Sequence, residues 1–319
     1  MPGYTGIIDR TGAESLIPPE VSTDVLNNLL ETNWLLRTAR RLRNMTRAEF
    51  RMPALAAMAV AGFVSGDIGL KPVSELSWED KYINAEEIAV IVPVAENVIA
   101  DADYDIWGQI RPEIERAFGK VINGAVLYGT DIPATWDTNM GGAGLVEIAA
   151  GASQDVSIDD FDDFYGAVEG ETTDGAANGV LALLEADGFI ATRHVACAGV
   201  KSRMRNCRDA NGQKIYPNTN EIDGAPIDFP LDGSMDATQA LMISGDWSQL
   251  VYAIRQDITY KYLDQAVIND AAGKIVLNMP QQDCVGIRAV MRLGFALPNP
   301  INQMNEVDAT RCPFATLAA

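Results

Sequence analysis

The side chains best suited to nucleophilic chemistry lie around the chain's single histidine. Cys197 and Ser202 follow His194 closely, so a thiol or hydroxyl nucleophile with an imidazole base would have to come from this stretch. Residues 188–198, however, have the pattern of a β-strand, and a histidine on a strand is more typical of packing than of catalysis. We therefore predict no catalytic residues.

The other reactive patterns lack the spacing that their chemistry requires. The four cysteines form no CxxC pair, so we predict free thiols in a reduced, intracellular chain rather than a zinc site. The GGAG at 141–144 is neither a Walker loop nor a dinucleotide-binding turn. A run of aspartates lacks the alternating spacing of a calcium-binding loop; it consists of Asp159, Asp160, Asp162 and Asp163. We expect neither a metal nor a cofactor.

Charge is distributed unevenly along the chain. The net charge of −20 argues against general nucleic-acid binding, which needs a basic surface. Residues 121–192 hold many carboxylates but neither lysine nor arginine. Residues 32–51 hold one acid and a series of arginines, which are Arg37, Arg40, Arg41, Arg43, Arg47 and Arg51. Either these two regions attract each other on neighbouring molecules, or both are simply solvated.

The rest of the chain is organised around a predicted helix over residues 103–129. Aspartates at its start favour the N-terminus of a helix, and Gly129 favours a helix end. The predicted helix is long for a globular protein. Pro112 predicts either a kink or a short turn after which the main helix begins. Apolar residues recur at steps of three and four and predict one buried stripe; they are Ile106, Ile110, Ile114, Phe118, Val121, Ile122 and Ala125.

Two alternating stretches predict strands over 45–52 and 88–94. The connection between them is long for a compact domain and is rich in glycine, yet it carries several large apolar side chains. Because such side chains are costly to leave in water, we expect residues 53–77 to reach onto another chain. The alternative is that they fold back onto the chain's own core.

The second half of the chain predicts mostly short elements. Residues 285–297 alternate well and predict a long strand, with Arg288 and Arg292 on its polar face. The turn-rich stretch 129–144 predicts a domain boundary. The remaining predictions are an acid-capped helix over 153–168, a helix over 179–186, and strands over 188–198, 240–244 and 250–260.

Several short motifs occur in a fixed order along the chain. They are Ile17-Pro18-Pro19-Glu20-Val21, Val92-Pro93-Val94 with 97–101, the turn 127–133, Ser244-Gly245-Asp246-Trp247 with Ile254-Arg255, the segment 288–294, and Cys312-Pro313-Phe314-Ala315. Together their order and spacing resemble the major capsid proteins of tailed phages, the Hong Kong 97-type capsid fold. Two features depart from the family. Cys197-Ala198-Gly199 stands where the family has Asn-Pro after the first axial strand, and we expect no coiled-coil scaffolding segment ahead of the N-terminal arm.

The resemblance implies an α+β fold of the Hong Kong 97 type with four parts. These are an N-terminal arm at 1–46, an extended β-hairpin loop at 47–93, a peripheral domain at 94–140 and 283–319, and an axial domain at 141–282. The predicted long helix then becomes the spine helix of the peripheral domain.

The function implied is assembly rather than catalysis. Hexamers and pentamers would close into an icosahedral shell around double-stranded phage DNA, with only non-specific contacts to that DNA and none to a membrane. The virion capsid would assemble in the host cytoplasm, with a portal and a separate scaffolding protein as partners. An encapsulin-like compartment is the alternative within this fold, and a soluble α/β enzyme is the alternative outside it.

The candidate contacts between subunits fall into three groups. The basic group, expected to meet acidic surface on a neighbour or packaged DNA, is Arg37, Arg40, Arg41 and Arg43. The apolar group, expected to be buried on a neighbour, is Phe63, Val64, Ile68 and Trp78. Some members of the family cross-link a loop lysine to an asparagine; Lys71 and Lys81 are the loop lysines here, and the sequence shows no matching acceptor.

Overall fold

A computed structural model describes most of the chain after its first 32 residues. The described residues are 33–59, 61, 63, 71, 73–101, 106–160, 163–170, 178–209, 211–270 and 272–318. Their α-helices are α1 Trp34–Thr38, α2 Glu96–Asp101, α3 Ile106–Tyr128, α4 Ala134–Met140, α5 Leu145–Gly151, α6 Phe164–Glu169, α7 Val180–Ala186 and α8 Val200–Asn206.

The strands form two larger sheets and two hairpins. They are β1 Arg40–Arg41, β2 Glu49–Ala57, β3 Ser77–Asn84, β4 Glu86–Ala95, β5 Asp155–Ser157, β6 Arg193–Ala196, β7 Glu221–Ile222, β8 Ala225–Asp228, β9 Met242–Gly245, β10 Val251–Leu263, β11 Val267–Asn269, β12 Ile275–Asn278, β13 Cys284–Ala296 and β14 Phe314–Ala318. One sheet has the order β1-β10-β13-β4 and the other β5-β14-β9-β6-β8-β7, while β2 pairs with β3 and β11 with β12.

The chain divides into two compact units. The first contains residues 87–118 and 256–292, and the second contains residues 34–86, 119–255 and 293–318. These units are defined by contacts and do not test the four-part division implied by the capsid resemblance, which stays a prediction. Most of the surfaces considered below lie within the second unit.

The six-stranded sheet gives the second unit its larger core. Its C-terminal strand β14 pairs in parallel with β5 and antiparallel with β9. Helices α6, α7 and α8 each contribute side chains to one buried cluster with the sheet, including Val168, Leu184, Met204 and Leu317. Burial of such aliphatic side chains is the main term that holds these short elements in place.

The predicted long helix is confirmed as α3, which runs from Ile106 to Tyr128 among the described residues. Pro112 lies inside it, so the reading in which the main helix begins at Pro112 is wrong. The missing N–H falls in the second turn, where it removes a single backbone hydrogen bond. At the other end, Gly129 adopts φ +67°, as expected of a glycine that terminates a helix.

The buried face of α3 does not follow the predicted stripe at every position. Ile114, Phe118, Ile122 and Ala125 are buried, but Val121 is 51% exposed. Seven residues bring a helix almost back to the same direction, so Val121 points only about 20° away from buried Ile114. Its assignment to the core was wrong, because burial depends on which elements cover the helix and not on helical spacing alone.

The predicted strand over 285–297 is confirmed as β13, and it is more buried than a half-exposed strand. Arg288 is exposed, but Val290 on the same face is buried. Gly294 in this strand has a steric role, because a Cβ there would lie 2.4 Å from the Asn84 carbonyl oxygen. A glycine is thus required where the end of β3 crosses this strand closely.

Two other predicted elements were misplaced. The helix predicted over 153–168 is instead β5, a 3-10 turn and the short helix α6. The Asp163 side chain accepts a hydrogen bond of 2.8 Å from the Gly166 N–H, so the acidic cap belongs to α6 alone. The strand predicted over 45–52 is β2, shifted toward the C-terminus, and it continues through Pro53 opposite Asp80.

Candidate assembly surfaces

The β2–β3 hairpin is anchored at the ends of its strands farthest from the connecting loop. Its register runs from Glu49 opposite Asn84 to Ala57 opposite Ser77, with an irregularity after Leu55. Phe50 and Met52 pack against a buried cluster that includes Met45, Ile83 and Val251. An ion pair of 2.6 Å between Arg51 and Asp80 lies on the other face. The hairpin base is therefore part of the second unit's own core.

Beyond this base several apolar side chains are left exposed by their own chain. Phe63 and Val73 are fully exposed, Trp78 is 65% exposed, and Leu76 is also exposed. These residues form the hairpin tip surface, which consists of Phe63, Val73, Leu76 and Trp78.

Exposed aromatic side chains in one segment are typical of an interaction site. The described residues of the tip do not fold back onto the chain's own core. Of the other apolar candidates, Val64 and Ile68 lie outside the described residues.

The arginines before the hairpin sit on a firmly held backbone. In α1, Trp34, Leu35 and Leu36 are buried, and the Trp34 indole N–H donates to the Ser234 hydroxyl at 2.9 Å. The next strand, β1, is the edge of its sheet and pairs in parallel with Val251 and Tyr252.

Four arginines project from this backbone into solvent. They form the arginine surface, which consists of Arg37, Arg40, Arg41 and Arg43. Arg41 bonds the Asn44 side chain at 3.0 Å, and Arg43 lies over the Phe50 ring at 4.9 Å. Among the described residues, no carboxylate forms an ion pair with any of the four. A cation without a carboxylate in its own chain is free to meet one on another molecule.

The two loop lysines differ in their surroundings. Lys71 is exposed, whereas Lys81 is partly covered and pairs with Glu79 at 3.1 Å. Lys81 also lines a cavity of about 560 Å³ beside β3, together with Glu147, Asn299 and Arg311. Lys71 is therefore the more accessible amine of the two.

His194 lies in the core of the six-stranded sheet with no solvent exposure. Its Nε2 is 3.3 Å from the Ile222 carbonyl, which can only accept, so Nε2 carries the proton. Nδ1 then accepts from the Ser244 hydroxyl at 2.8 Å. Burial lowers the pKa of His194 to about 4, and the neutral ring satisfies both of its partners. The imidazole is thus a packed core residue.

The cysteines that could have served as nucleophiles are also enclosed. All four are free thiols, and Cys197, Cys207 and Cys312 are buried. Burial raises the pKa of the Cys312 thiol to about 12, which disfavours the reactive thiolate. The residues described in the structure include no group of His, Cys, Asp or Glu side chains arranged to hold a metal ion. Among those same residues, no helix is both long and apolar enough to cross a membrane.

Because His194 is buried in its neutral form, we expect acid to destabilise the folded chain. The unfolded chain binds a proton near pH 6.5 and the folded chain only near pH 4, so stability from neutral His194 is complete above pH 6.5 and is lost as pH falls toward 4. We expect this residue to account for about 3 kcal/mol of lost unfolding free energy over that window. Urea unfolding from pH 7 to pH 4 should show a shallower pH dependence for His194→Gln than for the unsubstituted chain. Equal slopes would contradict the assignment.

Comparison with known proteins places these features in a family. The model of the phage capsid family matches residues 13–301. A solved chain from Microbacterium phage Oxtober96 is 30% identical with a TM-score of 0.74, and the match covers 98% of this chain and 99% of that one. A solved chain from Mycobacterium phage Bobi is 29% identical with a TM-score of 0.75, and the match covers 98% of each.

A curated relative agrees. The major capsid protein of Staphylococcus phage 80alpha is 23% identical over 69% of this chain. The present chain spans 63% of that relative's length.

The fold is the capsid fold of the Hong Kong 97 type. Its features here are the anchored hairpin, the long helix α3 and the sheet that contains the C-terminal strand β14. The chain belongs to the phage capsid family. The fold and family predicted from the order of the motifs are thereby confirmed.

One surface escaped the sequence reasoning. Residues 201–214 hold Lys201, Arg203, Arg205, Arg208 and Lys214, with Asp209 as the single acid. Their density is visible in the sequence, but only the structure shows that α8 keeps its apolar face inward and turns the arginines outward.

Proposed function

We propose that the chain is the major capsid protein of a tailed phage, and that its copies form hexamers and pentamers which close into an icosahedral shell around double-stranded DNA. The observation that carries the proposal is the hairpin, which is fixed at its base and carries exposed aromatic side chains at its tip. Such a segment has its binding partner outside its own chain. Each contact can be modest, because every copy makes several and avidity multiplies them.

The proposal includes a setting and a set of partners. The shell is the virion capsid, assembled in the host cytoplasm with a portal and a separate scaffolding protein. Contacts to the packaged DNA are non-specific, since the net charge of −20 leaves only local basic surfaces. The chain performs no catalysis, and buried, neutral His194 supports this.

Two observations test the proposal against its alternatives. The chain produced together with its proposed scaffolding partner should sediment as particles; a chain that stays monomeric by light scattering under those conditions would favour a soluble enzyme instead. The genes beside the coding sequence should include a portal and a terminase. A neighbouring gene for a cargo enzyme would favour an encapsulin-like compartment.

We also propose that the subunits are held together without covalent cross-links. Lys71 is exposed, but the sequence provides no matching acceptor for it. Mature particles boiled in detergent should therefore give a single monomer band on a denaturing gel. A ladder of multimers that disappears in Lys71→Arg, but persists in Lys274→Arg as the matched exposed lysine, would contradict this prediction.

A further inference from the structure

The basic face of α8 carries positive charge that the described part of its own chain does not neutralise. Val200 and Met204 anchor the helix in the core, which directs Arg203 and Arg205 into solvent. Directly after the helix, Arg208 lies opposite Lys214 in an antiparallel bridge. Like charges placed directly opposite each other are destabilising, so this arrangement favours an anionic partner.

Two carboxylates of the same chain lie near the basic face without forming an ion pair with it. Asp159 and Asp163 line a cavity of about 570 Å³ with Arg203 and Arg208, and Asp163 caps α6 through the Gly166 N–H at 2.8 Å. Asp209 accepts the Asn211 and Gln213 N–H groups and closes the turn. Within the described part of the chain, none of Arg203, Arg205, Arg208 and Lys214 forms an ion pair.

The same compact unit supplies a surface of opposite sign. Residues 121–192 contain no lysine or arginine, and they belong to the second unit together with α8. Asp131, Glu147, Asp155 and Glu185 are exposed carboxylates in this stretch. Copies with a net charge of −20 repel each other at a distance, so a stable contact needs local complementarity.

We infer that the basic face of α8, consisting of Arg203, Arg205, Arg208 and Lys214, docks on exposed carboxylates of a second copy. The candidates are Asp131, Glu147, Asp155 and Glu185. One copy then offers two different complementary surfaces, and such a head-to-tail contact closes identical subunits into a ring when the rotation between copies allows it. The inference rests on the proposed shell function and assigns one of its contacts.

The test uses two triple variants of the full chain. Arg203→Glu/Arg205→Glu/Arg208→Glu should lower the yield of particles about tenfold or more, because several contacts per ring become repulsive at once. Arg203→Lys/Arg205→Lys/Arg208→Lys keeps the charge and should assemble normally. Both variants should melt like the unsubstituted chain by circular dichroism, since all three side chains are exposed.

The lysine variant also identifies the partner. Particles assembled from a mixture of ¹⁴N- and ¹⁵N-labelled chains are treated with a zero-length carbodiimide, which joins amines to carboxylates in direct contact. Peptide pairs of mixed label that join the substituted positions or Lys214 to a carboxylate within 121–192 are the expected result. Pairs of a single label only would overturn the inference.

Other outcomes separate this contact from the shell proposal. If the glutamate variant assembles at the normal yield, the contact is wrong while the shell function stands. If it forms normal shells that no longer retain DNA, the basic face binds nucleic acid rather than a second copy. If the unsubstituted chain forms no particles, it is the proposed function that fails.

Discussion

Replacing Arg40, Arg41 and Arg43 with glutamate should abolish shell formation and leave the folded chain intact. The three side chains are exposed and have no carboxylate partner among the described residues, so their reversal removes no ion pair from that part of the chain. In a shell, each reversed charge turns an attraction worth about 1 kcal/mol into a repulsion, and every copy repeats the change. Sedimentation should show loss of particles, while circular dichroism should show an unchanged melting temperature.

A matched variant separates charge from shape at the arginine surface. Arg40→Lys/Arg41→Lys/Arg43→Lys retains the positive charge and should assemble, with some loss where a guanidinium stacks, as Arg43 does on Phe50. Normal particles from the glutamate variant would show that the arginine surface makes no contact between subunits.

Replacing Trp78 and Phe63 with aspartate should produce an equally large loss of assembly. Burying one large apolar side chain contributes about 1.5–3 kcal/mol, and the hairpin tip surface offers several to each neighbour. The same substitutions should change the stability of the free chain by less than about 0.5 kcal/mol, because Trp78 is 65% exposed and Phe63 fully exposed. Sedimentation and urea unfolding measure the two effects separately.

Leu231→Asp provides the control for the hairpin tip surface. Leu231 is 87% exposed and lies in a different segment of the second unit, so its substitution places an aspartate at an exposed apolar position away from the hairpin. We expect this variant to assemble. If the Trp78 and Phe63 variant assembles as well as Leu231→Asp, the tip is simply solvated, and the hairpin loses its proposed role.

The parts of the fold that sequence reasoning predicted are those with a long, regular period. Helix α3 and strand β13 are long enough for many turns or alternations to agree, so chance matches are rare. The order of the short motifs then placed these elements in a known fold. The arginine stretch and the apolar connection were likewise visible from composition alone.

The parts that escaped prediction depend on distant pairing. Strand β5 is only three residues long and exists because β14, from the C-terminus, lies beside it in parallel. No local pattern could separate it from the acid-capped helix predicted there. Val121 was misplaced for a related reason, since the width of a buried stripe is set by the neighbouring elements and not by the helix itself.

The candidate surfaces show the same division. The sequence shows which segments carry apolar or basic side chains, but it does not show which of those side chains are exposed. The exposure of Trp78 and of the arginines of α8 follows from packing elsewhere in the chain. The neutral state of His194 also required the structure, because it depends on Ser244 and Ile222, which are distant in sequence.

Negative-stain electron microscopy of the folded chain, produced together with the scaffolding protein proposed as its partner, tests the central claim most directly. We expect closed shells of uniform diameter, built of capsomers with six and five copies. Dispersed single subunits, from a preparation that circular dichroism shows to be folded, would contradict it.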